Sequence, residues 1–270
     1  MGSNQSGRVV PFPTVRLRNT DFLRLMHQKH IIHSLMEFDI THPRRIMGEH
    51  KAATGESLSF TAFVIGCLAK AIDEDKQMHA YRKGRKQLVL FDEVDVTTLV
   101  EHEVDGAKIA TPYILRAANR KTLLELHREL RQSQQQKARE FNTVPWYEQL
   151  FFSLPSCMRV FLLGRLGNSP YLRKKLEGTV VVTAAGMFGK GMGWGIPMTT
   201  HTLCVTVGGM GEKPGIVEGR IEAREYLSLT VSADHDVIDG APLARFTSRF
   251  RELVEEGYGL GGLKATRSAS

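Results

Sequence analysis

A chain of 270 residues, 42 % hydrophobic and 24 % charged, has the composition of a soluble globular protein, with length for one large domain or two small ones. The formal charge of +7 suits a polyanionic small molecule, but no aromatic-interleaved basic stripe accompanies it, which argues against a nucleic-acid partner. Cys67, Cys157 and Cys204 show no C-x-x-C spacing and each lies in an apolar run, so they read as small core residues in a reducing cytoplasm and not as a disulfide framework or metal ligands.

The first residues, MGSNQS, lack the apolar stretch of a secretory leader. They fit the loose myristoylation pattern M-G-x-x-x-S, which a merely polar start satisfies equally well. Residues 1–20 read as an arm. DFLRLMHQKHIIHSL reads as a helix in whole or in part, followed by a strand in MEFDIT. Between residues 58 and 73, Phe60, Phe63, Val64, Cys67, Leu68, Ala71 and Ile72 recur at helical spacing behind the polar run TGES. KQLVLFDEVDVTTLVE gives two short strands broken near Asp92, and ANRKTLLELHRELRQSQQQKAREF an amphipathic helix that turns polar toward its end.

The stretch 144–176 is apolar, with Trp146, Phe151, Phe152, Leu154, Val160, Phe161, Leu162 and Leu163. Glu148, Pro155 and Arg159 interrupt it too often for a bilayer span. It reads first as a helical hairpin packed on the body; a lid, or a surface for a partner or a membrane, is the less favoured reading. GTVVVTA, HTLCVTVGG and REYLSLTVSAD then read as three strands separated by Gly-rich loops. The resulting fold class is α/β, with a mostly mixed sheet and helices on one side. Residues 259–270, rich in small and polar side chains, read as a flexible tail.

The last strand carries the most chemistry. Leu227, Leu229, Val231 and Ala233 alternate with Ser228, Thr230, Ser232 and Asp234, the pattern of a half-buried strand. From about Ala241 the period becomes helical, with Leu243, Phe246, Phe250, Leu253 and Val254 on one stripe. His235 therefore ends a strand and Asp239 starts a helix, with Gly240 expected to free the backbone between the two elements. An imidazole held on such a turn is well placed to act as a general base.

The segment DHDVIDGAPLARF resembles the DHRVIDGA..ARF signature of the dihydrolipoamide acyltransferase catalytic cores, within the chloramphenicol acetyltransferase-like superfamily. FDEVDVTTLVEHEVDG, TPYILRAANRKTLLELHREL and EGTVVVTAAGMFG resemble further blocks of that family in the same order, and HSLMEFDIT resembles a fifth. The resemblance implies that residues 21–258 form one acyltransferase domain with a helical insertion at about 144–176. It implies acyl transfer between a thioester (acyl-coenzyme A or acyl-lipoyl) and a thiol by direct attack, with His235 as general base and no metal.

It also implies that Thr183 takes the place of the family's serine as oxyanion donor, with Ala184 where asparagine is common. Asp239 would be a scaffold paired with an arginine, Arg18 or Arg24. Asp236, standing where the family commonly has arginine, would bring a carboxylate beside the base and raise its pKa. The implied assembly is a homotrimer with the site between subunits. With no lipoyl domain legible in the sequence, the chain is expected to be a stand-alone acyltransferase: either a separate carrier supplies the lipoyl group, or the protein works outside a dehydrogenase complex. Two alternatives remain open: a catalytically silent trimeric scaffold, and coenzyme A-dependent acetylation of a small hydroxyl or amine compound.

Overall fold

A computed structural model describes residues 8–12, 20–21, 23–104, 107–135, 151, 153–184 and 191–265. The six long strands are β1 (Ile31–Asp39), β4 (Val96–Val104), β5 (Ala107–Leu115), β6 (Val180–Ala184), β7 (Leu203–Val217) and β8 (Arg220–Asp234). They form one sheet in the order β1-β8-β7-β6-β4-β5, while β2 (Tyr81–Lys83) and β3 (Gln87–Val89) pair as a separate hairpin. The sheet is mixed: β6 runs parallel to both its neighbours and every other pair is antiparallel.

Register decides which side chains share a face. Ala233 lies opposite Leu203 and Val231 opposite Val205, and those in turn lie beside Val180 and Val182. This face is fully buried against α1 (Thr41–Thr54), α2 (Phe60–Glu74), α3 (Leu123–Gln135) and α6 (Gly240–Glu255), so the helices of the main core lie on one side, as expected. α2 is apolar around most of its circumference and is accordingly buried through its middle, as an all-round apolar helix must be. The Ser59 hydroxyl accepts the Ala62 N–H at its start. The stripe expected on α6 is buried throughout, and Phe250 meets Phe38 edge-on with ring centroids 5.4 Å apart. Such a phenylalanine contributes about 3–5 kcal/mol relative to alanine.

Several expectations change. The helix in residues 20–26 stops before Ile31, because Ile31–Leu35 pair with β8 and extend β1 by five residues. β7 and β8 run well beyond the expected strands, to a two-residue turn at Glu218 and Gly219, both with positive φ. Helix α1 was not legible, since its charged surface leaves only Pro43, Ile46 and Met47 buried. The alternating strand β8 is not half-buried: Ser228, Thr230, Ser232 and Asp234 are as inaccessible as the apolar set. Cys67 and Cys204 are core residues, but Cys157 is exposed, because it sits on the outer face of α4 (Ser156–Gly167).

The stretch 153–177 ends in α4 and α5 (Pro170–Glu177). Met158 and Phe161 of α4 are exposed. Trp146 and Phe152 lie outside the described residues. In the tail, Leu260 is fully buried and Gly262–Ala265 forms a short helix, α7.

Candidate active site

The turn that follows β8 is built by Asp234. Its carbonyl accepts the N–H groups of Val237 and Ile238 at 2.9 and 3.0 Å, and its own N–H donates to Thr202 O at 2.9 Å. Its fully buried carboxylate holds the Lys29 ammonium on one oxygen and the Asp236 N–H, at 3.2 Å, on the other. His235, next in the chain, donates its backbone N–H to His30 O at 2.7 Å. Its side chain is nearly half exposed, with Nδ1 3.6 Å from Asp239 Oδ1. Among the described residues Nε2 has no hydrogen-bond partner. An imidazole on a fastened backbone with one nitrogen open is what a general base requires.

Asp239 caps α6 with extended backbone (φ −79°, ψ 164°) but makes no side-chain capping bond. No arginine among the described residues pairs with it. Arg24 instead donates to Ser156 Oγ at 2.6 Å, within a cluster where Ser156 and Arg159 both bind Asp21. Arg18 lies outside the described residues. Gly240 does not free the backbone: its φ is not positive, and an added Cβ there would meet nothing within 4 Å.

Asp236 does not turn toward the His235 imidazole. Its Oδ2 accepts Arg82 Nη1 at 2.6 Å and its Oδ1 lies 2.9 Å from His30 Nδ1. The His30 contact, with Arg82 adding to it, holds this carboxyl below the usual carboxylate range. Lys29, His30 and Arg82 were invisible as site residues in the sequence. The pairing of Ile31 with Asp234 is what carries residues 29–30 past the end of β8, and that register is a tertiary fact.

Thr183 lies on β6 opposite Thr206 of β7, which lies opposite Thr230 of β8, all on the face that carries no helix of the main core. Ala184, one residue on, packs against the core on the helix side. Thr183, Thr206 and Cys204 line a cavity of about 420 Å³ closed on one side by Gly195–Met198. Burial pushes the Cys204 thiol up to about 12, so it is no nucleophile at neutral pH. Gly208 and Gly209 admit the 191–193 segment beside β7, because a Cβ on either would come within 2.2 Å of the Gly193 or Gly191 carbonyl.

Thr183 and His235 are not brought together within one chain. Two strand spacings and five residues separate them, roughly 20 Å at about 4.8 Å per strand and about 3.3 Å per residue. The face that carries Thr183 also leaves Leu35, Leu99 and Ile196 exposed, and the Thr206, Ser228 and Thr230 hydroxyls buried without a hydrogen-bond partner among the described residues.

A second cavity, of about 920 Å³, adjoins the His235 turn through Asp236 and Val237 and is walled by α4, α5 and the β2–β3 hairpin. Among the described residues no group of three His, Cys, Asp or Glu side chains could hold a metal ion, and no helix is long and apolar enough to cross a membrane.

The sequence profile of the 2-oxoacid dehydrogenases acyltransferase (catalytic domain) family matches residues 8–145 and 173–260. The lipoamide acyltransferase component of the branched-chain alpha-keto acid dehydrogenase complex of Pseudomonas putida is 32 % identical over 90 residues, 33 % of this chain and 21 % of that protein. Its Bacillus subtilis counterpart is 23 % identical over 82 % of this chain and 46 % of that protein. The chain thus spans less than half the length of either relative. A solved structure of a probable dihydrolipoamide acetyltransferase from Listeria monocytogenes superposes with a TM-score of 0.69 at 19 % identity, covering 93 % of this chain and 95 % of that one, which shows a common fold. With the profile matching most of the sequence, the chain belongs to the 2-oxoacid dehydrogenase acyltransferase catalytic-domain family.

Proposed function

We propose that the chain moves an acyl group between a thioester and a thiol by direct attack, with His235 as general base, at a site completed by a second copy of the chain. The observation that carries this reading is the His235 turn: backbone bonded to His30 O and Thr202 O on either side, imidazole half exposed. A thiol titrates near ~8.5 and an imidazole near ~6.5, so proton transfer from one to the other costs only about 3 kcal/mol before attack.

The acceptor thiol gives its proton to His235 as its sulfur attacks the thioester carbonyl. The tetrahedral oxyanion takes a hydrogen bond from Thr183 of the neighbouring copy. Collapse breaks the original C–S bond, and the departing thiolate recovers the proton from His235. The separation of Thr183 from His235 within one chain supports a shared site, and the exposed apolar side chains on the helix-free face support its burial in a homotrimer. Asp239, 3.6 Å from the His235 ring, steadies it.

Coenzyme A enters as substrate, a lipoyl group takes part only where another protein supplies it, and the setting is cytoplasmic. Residues 144–176 are an insertion in the catalytic domain, a reading supported by the family match breaking off between 145 and 173. The direct experiment measures coenzyme A release from acetyl-coenzyme A with and without dihydrolipoamide. Wild type should show dithiol-dependent release, and His235→Ala should lose about 10²–10⁴ of it at an unchanged melting temperature. Equal release by both proteins, or none by wild type, would overturn the reading.

A further inference from the structure

Both carboxylates that flank His235 are held by nitrogen-bearing side chains from elsewhere in the chain. Asp234 takes Lys29, and Asp236 takes Arg82 and His30. The resembled motif commonly has arginine at position 236, and a carboxylate there inverts the charge that the turn presents. Arg82, from the β2–β3 hairpin, stands opposite at 2.6 Å. His30 does so at 2.9 Å while its carbonyl accepts the His235 N–H at 2.7 Å. One residue thus binds the turn through backbone and side chain together.

We infer that Asp236 is a positioning residue, and that Arg82 and His30 hold it so that the His235 turn keeps one geometry. The inference rests on the acyl-transfer reading. Side-chain exposures of 35 % for Asp236, 42 % for Arg82 and 77 % for His30 mean that water screens these pairs, so their contribution to global stability is small. Displacing a base by about 1 Å can nonetheless cost on the order of 10²-fold in rate. The effect of breaking the pairs therefore belongs in kcat and not in the melting temperature. Holding the turn does not bind substrate, so KM should stay put.

The test compares Asp236→Ala, Asp236→Arg and the swap Arg82→Asp/Asp236→Arg in the coenzyme A release assay, with hydrogen exchange of residues 235–237 alongside. Asp236→Ala should lower kcat about tenfold or more with KM within about twofold, and should speed exchange of the His235 amide. Asp236→Arg alone should be no better, although it installs the residue the motif commonly carries, because it faces Arg82 and His30. The swap should return kcat to within about threefold of wild type. An unchanged kcat in Asp236→Ala, or a swap no better than the single variants, overturns the inference. If wild type transfers no acyl group, the acyl-transfer reading falls on that result alone. Exchange then still decides whether Asp236 holds the turn, and unchanged exchange overturns that too.

Discussion

At Thr183 the chain keeps the hydroxyl that an oxyanion needs but adds a methyl that restricts its rotamer. Thr183→Val, which matches the shape and removes the donor, should lower kcat by about 10²–10³. Thr183→Ser should keep activity within about tenfold of wild type. Equal activity in the valine and serine variants, measured by coenzyme A release, would remove Thr183 from the mechanism. His235, Asp239 and Thr183 could be proposed as site residues from sequence because each lies in a local motif. The groups that fasten the base, Lys29, His30, Thr202 and Arg82, could not. They reach the turn from three separate segments, and nothing in the spacing of His30 from His235 marks them as neighbours.

At the scale of elements, the start of β4 is tied to α5 through buried polar groups. Asp95 is buried, which raises its pKa, but the Ala117 N–H, Arg116 and Lys174 outweigh burial and hold it below the usual range. A group depressed in this way stabilises the fold above its unfolded pKa of about 3.9, and that contribution is lost as pH falls through its folded value. Asp95→Ala removes the carboxylate that Lys174 and Arg116 share, but Lys174 keeps Glu93 at 3.3 Å and Arg116 keeps the Lys174 and Lys175 carbonyls, so the cost should fall at or below the low end of about 3–5 kcal/mol by chemical denaturation.

His79 acts earlier in the titration. Its Nε2 donates to Phe91 O at 3.0 Å, and burial pushes its pKa down to about 4. Its unfolded form binds a proton near ~6.5, so stability should decline as pH drops from there toward about 4. His79→Gln should flatten that slope by up to about 1.4 kcal/mol per pH unit. An unchanged slope would mean that His79 takes up its proton without cost to the fold. His201 and His127, also depressed by burial, supply the remaining slope.

Periodicity made α2 and α6 legible, because each buries a continuous apolar stripe. It misjudged β1 and β8 for different reasons. Ile31–Leu35 fit a helix or a strand equally well, and only pairing with β8 decides. Conversely, the small hydroxyl side chains of β8 look solvent-facing, yet the strand is covered on both sides.

At the scale of the whole molecule, the sheet has helices of the main core on one face. On the other it carries exposed Leu35, Leu99 and Ile196 around buried hydroxyls that lack partners among the described residues. A face of this kind is suited to another copy of the chain. It also resolves the roughly 20 Å between Thr183 and His235, because a neighbour can present either residue to the other. The most direct test co-expresses His235→Ala with Thr183→Val, each nearly inactive alone, and measures coenzyme A release by the mixed assemblies. Random mixing in a cyclic trimer leaves about one site in four with both wild-type residues, so roughly a quarter of wild-type activity should return. Mixed assemblies no more active than either variant, or a fully active monomer, would contradict a transfer site shared between chains.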